Sequence, residues 1–219
     1  MEQAYKKYRP IIQEAEAIYE AFGYDIRKLQ ILGGAGYGVA FLLPDETRVL
    51  KITTSDLEYN AVRELIASGL YNEPGIANIN PASLEVLKRD PIDNYVTLSG
   101  YILERLIPLS QKERSLYHSI ITDLSYELIE LYHTYLFAPL EQKTEAIERV
   151  TAYFMHFISQ NRILETDPEL ENMLFFLYQA METGLFLWDI GGNMGWRIGP
   201  DGDPLRNDGV VLFDLQVFS

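Results

Sequence analysis

Cysteine is absent from the 219-residue chain. That excludes disulfides and thiolate metal sites and fits a reducing compartment. Positive charge is scarce: 18 Lys and Arg stand against 32 Asp and Glu, for a net charge of −14. Nucleic-acid binding needs cations to neutralise phosphates, and anionic membrane surfaces need the same, so both are disfavoured as partners. A basic or polycationic partner remains compatible with the acidity, which solubility alone also explains. Histidine occurs only as His118, His133 and His156, at spacings that match no metal site. No apolar run reaches the roughly 20 residues of a membrane span. Met1 is followed by Glu and Lys rather than an apolar signal core, so a cytoplasmic protein is expected. What is present is an apolar fraction of 47% with 23% charged residues, enough for one large domain or two small lobes.

Taken in order, Ile11, Ala15, Ile18 and Phe22 recur at helical spacing, predicting a helix over 2–22 that Gly23 ends. The run Ile31-Leu32-Gly33-Gly34-Ala35-Gly36-Tyr37-Gly38-Val39-Ala40-Phe41 then puts a glycine-rich turn between two strand-like pieces. A dinucleotide-binding or P-loop glycine motif must be followed by a helix, whereas here a strand follows. A glycine hairpin lets backbone N–H groups approach an anion closely, although a plain hairpin with a flexible tip uses the same residues. Lys51 sits inside the apolar strand Val49–Ile52, where it either alternates to solvent or faces a cleft and needs an anionic partner. Ser55-Asp56-Leu57-Glu58 reads as a capping box that opens a helix to Gly69 and consumes Glu58. Glu64, sharing a face with Leu57 and Ala61, is then the carboxylate expected to meet Lys51. Strands follow at Ser83–Lys88 and Tyr95–Leu106.

From about Ser110 the period becomes helical. Leu116, Ile120, Leu124, Leu128, Leu131 and Tyr135 form one stripe, Ile147, Val150, Phe154 and Phe157 a second, and Leu170, Leu174, Leu177 and Met181 a third. Asp167 and Pro168 suit the start of that last helix. The C-terminal part holds the run Leu187-Trp188-Asp189-Ile190-Gly191-Gly192-Asn193-Met194-Gly195 and a final strand ending at Asp214. Asp189, Asn193 and Asp214 offer one base and two hard-oxygen metal ligands. Three oxygen-bearing side chains near one point repel unless a cation or proton lies among them.

Together these residues resemble the protein-kinase-like fold, which includes the aminoglycoside-type phosphotransferases. Leu32 to Ala40 resembles the glycine-rich loop, with Gly33 and Gly38 at its outer glycine positions and Gly34 and Gly36 between. Val49-Leu50-Lys51 resembles the Val-Ala-Ile-Lys strand, and Glu64 the helix glutamate that holds its lysine. Leu103-Glu104-Arg105 resembles the hinge whose backbone holds adenine. Asp189 and Asn193 resemble the catalytic-loop base and metal ligand, and Asp214 the Asp of Asp-Phe-Gly. The sequence departs from the family at Ala35, at Leu187-Trp188 in place of His-Arg, and at Leu215-Gln216 in place of Phe-Gly. The loop between Asp189 and Asn193 is one residue shorter than usual, and with five residues after Asp214 no activation loop is expected.

The resemblance implies an α+β, two-lobed fold: an N-terminal helix and linker over 1–30, an antiparallel-sheet nucleotide-binding lobe over 31–106, and a mainly helical lobe over 107–219. It implies an ATP- and Mg²⁺-dependent phosphotransferase, with a small hydroxylated or aminated acceptor more in keeping than a folded protein. The competing expectation is a catalytically inactive kinase-like module that binds nucleotide or serves as an interaction scaffold.

Overall fold

A computed structural model describes residues 9–13, 23–35, 37–188, 190, 192–213 and 216–217. The fold is α+β, with a five-stranded antiparallel sheet in one part and a mainly helical second part. The chain divides into two compact units, one of Met1–Arg63 with Asn78–Arg105, the other of Glu64–Ala77 with Leu106–Ser219.

The first unit is built on β1 (Gln30–Ala35), β2 (Gly38–Leu42), β3 (Arg48–Thr53), β4 (Glu85–Arg89) and β5 (Val96–Glu104), in the order β1-β2-β3-β5-β4. Alternation along β3 and β5 sorts their side chains between two faces, because paired residues of an antiparallel ladder point the same way. Leu50, Ile52, Leu98 and Ile102 join Val39, Phe41 and Leu43 in one apolar cluster, with Ile12 and Ile26 packed among them. Lys51 pairs with Tyr101, and Thr53 with Ser99, on the opposite face. Residues 9–13 are helical, as the N-terminal periodicity predicts, and Ile12 is fully buried. The expected helix over 14–22 falls outside the described residues. Gly23, with φ of 71°, has a left-handed backbone that favours glycine.

Helix α1 (Asp56–Ser68) follows β3 after a two-residue turn. The Ser55 hydroxyl accepts the Glu58 N–H at 3.2 Å, so the expected cap is made from the Ser55 side. The helix buries Glu58, Ala61, Val62 and Leu65, an i, i+3, i+4, i+7 stripe.

The second unit carries β6 (Leu106–Pro108), helices α2 (Gln111–Leu116), α3 (His118–Leu136), α4 (Lys143–Gln160), α5 (Ile163–Thr166) and α6 (Glu171–Glu182), then β7 (Leu187–Trp188), β8 (Met194–Arg197), β9 (Val210–Leu212) and β10 (Gln216–Val217). The strand expected to run from Tyr95 to Leu106 ends at Glu104, and Leu106 begins a strand of another sheet, ordered β6-β8-β9. The first long helical stripe is divided at Tyr117. The Ser110 capping box opens α2 and Tyr117 ends it as a short helix of its own, with Leu116 67% exposed rather than in the core. Leu124, Leu128 and Leu131 of α3, Val150 and Phe154 of α4, and Leu170, Leu174, Leu177 and Met181 are buried as their periodicity demands. No helix of the described residues is long and apolar enough to cross a membrane.

Candidate functional site

In the first unit, Lys51 lies mid-strand on β3 and is 8% exposed. Its ammonium is 2.6 Å from Glu58 Oε1. The same oxygen accepts the Tyr101 hydroxyl at 2.6 Å. Glu58 is 2% and Tyr101 1% exposed, so the carboxylate is held almost entirely by protein groups. The partner of Lys51 is therefore Glu58 and not the expected Glu64, which is exposed on α1. The reason is helical phase. Ser55 caps the backbone N–H of Glu58 but leaves its carboxylate at the head of the buried stripe that continues through Ala61, Val62 and Leu65. Glu64, six residues on, is off that stripe. The stripe arithmetic anchored on Glu58 would have found this from sequence. Tyr101 carries no such signal, because its place beside Lys51 follows only from the β3–β5 register.

The glycines of the β1–β2 hairpin separate into two kinds. A Cβ on Gly38 would sit 2.9 Å from the Ile52 carbonyl oxygen, so Gly38 is glycine because β3 passes close behind it. A Cβ on Gly33 would meet nothing within 4 Å among the described residues, so no described neighbour accounts for its lack of a side chain. Gly34 lies on exposed β1, and Gly36 falls outside the described residues. Tyr37, 64% exposed, is tied down by its carbonyl, which accepts the Thr54 N–H at 2.6 Å and the hydroxyls of Thr54 and Thr53 at 3.0 and 3.2 Å.

The segment expected to hold adenine has two of its donors committed. The Glu104 N–H donates to the Asn78 carbonyl at 2.8 Å and the Arg105 N–H to the Thr47 carbonyl at 2.9 Å. The Glu104 carboxylate in turn accepts the Asn78 N–H at 3.1 Å.

In the second unit, Asn193 begins the turn into β8. Its carbonyl accepts the Phe213 N–H at 2.8 Å, and Met194 pairs with Leu212. Strand β10 pairs with β7 through Gln216 with Trp188 and Val217 with Leu187. Asp189 and Asp214 themselves lie outside the described residues. The hairpin is buttressed from behind. Ala77 N–H donates to Leu212 O at 2.8 Å, Leu212 N–H to Gly75 O at 2.9 Å, and Arg197 spans the Pro74 and Ile76 carbonyls at 2.8 Å each. A Cβ on Gly75 would fall 2.2 Å from the Asn172 carbonyl oxygen, so only glycine lets this segment lie against α6.

Glu113, in the first turn of α2, anchors the other side of β8. Its Oε1 accepts Trp196 Nε1–H at 3.2 Å and Arg206 at 2.6 Å, while Oε2 accepts the Ser110 N–H at 2.8 Å. Hydrogen bonds from Ser110, then the Arg206 guanidinium, bring its pKa down to about 2. The three histidines are exposed. Among the described residues no group of three or more His, Cys, Asp or Glu gathers as a metal site.

No protein-family model matches the chain, and no curated protein matches it in sequence. Among solved structures it is similar to the aminoglycoside phosphotransferase APH(4)-Ia, at 15% identity over 62% of this chain with a TM-score of 0.31. It is also similar to a spectinomycin phosphotransferase, APH(9)-Ia, in complex with ADP and spectinomycin, at 12% identity over 94% of this chain and a TM-score of 0.35. A ternary complex of streptomycin, ATP and APH(2″)-IIa gives 13% identity over 94% of this chain and a TM-score of 0.29. The chain spans 39% of the first of these proteins, 69% of the second and 73% of the third. These likenesses are too distant to transfer an activity, a substrate or a partner to this chain.

Proposed function

We propose that this chain is an ATP-dependent phosphotransferase of the kinase-like kind, passing the γ-phosphate to a hydroxyl or amine of a small molecule. The observation that carries the reading is the buried pair between Lys51, on the strand next to the glycine hairpin, and Glu58 of α1. An ion pair this enclosed is weak support for stability, since apolar residues would serve a core as well. A cation placed there and held by a carboxylate suits an incoming phosphate.

On this reading Lys51, steadied by Glu58, contacts nucleotide phosphates, and backbone N–H groups over Gly33–Gly38 cover them. The open space at Gly33 fits that approach. Glu104 and its neighbours lie along the adenine. Asp189 orients or deprotonates the acceptor hydroxyl. Asn193 and Asp214 supply hard oxygens of the kind Mg²⁺ prefers. The hydrogen bond from Phe213, the residue before Asp214, to the Asn193 carbonyl is consistent with that pairing. When bound, Mg²⁺ neutralises charge on the phosphate oxygens. Such transfer asks the protein for positioning and electrostatics rather than covalent chemistry.

A second reading, a nucleotide-binding or interaction scaffold without turnover, is favoured by one observation. The N–H groups of Glu104 and Arg105 are already committed, which weakens adenine capture there. Thermal stability with Mg-ATP tests both. Ligand at 100 times its dissociation constant adds about 2.7 kcal/mol. Stabilisation that survives Asp189→Ala while phosphate transfer to an acceptor panel disappears supports the enzyme. Stabilisation without turnover supports the nucleotide-binding scaffold, and no stabilisation at millimolar Mg-ATP eliminates both nucleotide-binding readings.

A further inference from the structure

We infer that Tyr101 is a positioning residue for Lys51, acting through Glu58. The inference rests on the nucleotide reading above. Lys51 and Tyr101 are directly paired across β3 and β5, so their side chains leave the sheet on one face. Glu58 enters from α1 and places a single oxygen, Oε1, 2.6 Å from the ammonium and 2.6 Å from the hydroxyl. Ammonium, carboxylate and phenol thus share one point, and all three residues are more than nine-tenths buried.

The arrangement answers a specific problem. A lysine held by one carboxylate alone faces a conflict when a phosphate arrives. If the ammonium turns toward the phosphate, a carboxylate at 2% exposure loses part of its compensation in a poor solvent. A hydroxyl donating to the same oxygen keeps that carboxylate satisfied and fixed while Lys51 divides its donors. Tyr101 does not touch the nucleotide. It sets where Glu58 sits, and Glu58 sets where Lys51 points. The phenol is suited to the task because its ring is rigid and its oxygen reaches Glu58 from the neighbouring strand.

The test is a double-mutant cycle on the full chain, read as the dissociation constant for Mg-ATP by calorimetry. Tyr101→Phe removes only the hydroxyl and is expected to weaken binding about tenfold. Glu58→Ala is expected to weaken it further, and the double variant should be no weaker than Glu58→Ala alone, because the carboxylate through which the hydroxyl acts on Lys51 is then gone. If Glu58→Ala does not fold, Glu58→Gln takes its place in the cycle. A residue that merely fills the core would give independent, multiplying losses. Unchanged affinity in Tyr101→Phe, or multiplying losses in the cycle, overturns the role of Tyr101 while leaving the nucleotide reading intact. A wild-type chain that does not bind Mg-ATP removes both together.

Discussion

Replacing Lys51 by methionine isolates the energetics of the buried pair. The substitution keeps most of the side chain's volume and removes its charge. Glu58 is then an anion at 2% exposure whose Oε1 still accepts the Tyr101 hydroxyl. Removing one member of a buried pair costs about 3–5 kcal/mol. The Tyr101 bond, being charge-assisted, keeps part of that, so about 3 kcal/mol is expected here. For a chain of this size each kcal/mol moves the melting temperature by about 2–4 °C, giving a fall of about 6–12 °C. The informative comparison is the triple variant Lys51→Met, Glu58→Leu, Tyr101→Phe. It removes the cation, the anion and the hydroxyl together, so none of the three is left without the other two. Apolar replacement of a whole buried ionic group is neutral or stabilising in other proteins. The triple variant is therefore expected within about 1 kcal/mol of wild type in stability, with Mg-ATP binding abolished.

Scanning calorimetry of the three proteins, with and without Mg-ATP, decides the matter. A Lys51→Met variant as stable as wild type would mean that the pair is not desolvated as drawn. A triple variant no better than the single would mean that the loss came from packing and not from an uncompensated charge. A triple variant that still binds Mg-ATP would show that the pair is structural only, and the phosphotransferase reading would fall with it.

The hairpin glycines should divide by experiment as they do by geometry. Gly38→Ala drives a methyl to 2.9 Å from the Ile52 carbonyl and should cost about 1–3 kcal/mol in urea unfolding. Gly33→Ala meets nothing within 4 Å, should leave stability nearly unchanged, and should weaken Mg-ATP binding; equal loss of stability at both positions would contradict the distinction. Glu113 supplies a pH prediction. Its folded-state pKa, about 2, lies below the ordinary 4.5, so its contribution is complete above about pH 4.5 and is lost as pH falls through 2. Glu113→Gln should be about 2 kcal/mol less stable than wild type at pH 7, a figure discounted for the exposed Arg206, and the deficit should close as pH approaches 2. A deficit independent of pH would mean that the carboxylate charge is not what Ser110, Trp196 and Arg206 hold.

Periodicity made the type of most elements legible, because apolar spacing at period 2 or 3.6 is a direct consequence of which face is buried. The turn from β3 into α1 and the core stripes of α3, α4 and α6 could be read in this way. Boundaries set by backbone capping were harder to see. Tyr117, which ends α2 and precedes α3, divides a helix that side-chain periodicity reads as continuous, and Leu116 beside the break is exposed. The exchange of strand partners between Glu104 and Leu106 has no hydrophobic signature, since both sides are apolar. Of the expected site residues, Lys51, Gly33, Gly38 and Asn193 can be described in place, whereas Asp189, Gly36 and Asp214 fall outside the described residues.

The misassigned carboxylate is the most instructive case. Glu58 satisfies three demands at once that Glu64 does not. It heads the buried stripe of α1, it lies in the first turn where unpaired amides favour an anion, and it follows the end of β3 by five residues. The residues from Lys51 to Glu58 form one local strand-turn-helix unit, so bringing ammonium and carboxylate together costs little loop entropy. The same turn also fixes the hairpin, since Thr53 and Thr54 hold the Tyr37 carbonyl. Cation, counter-ion and glycine hairpin are thus placed by contacts within the first unit. A perturbation of the Thr53–Ser55 turn should therefore disturb all three together.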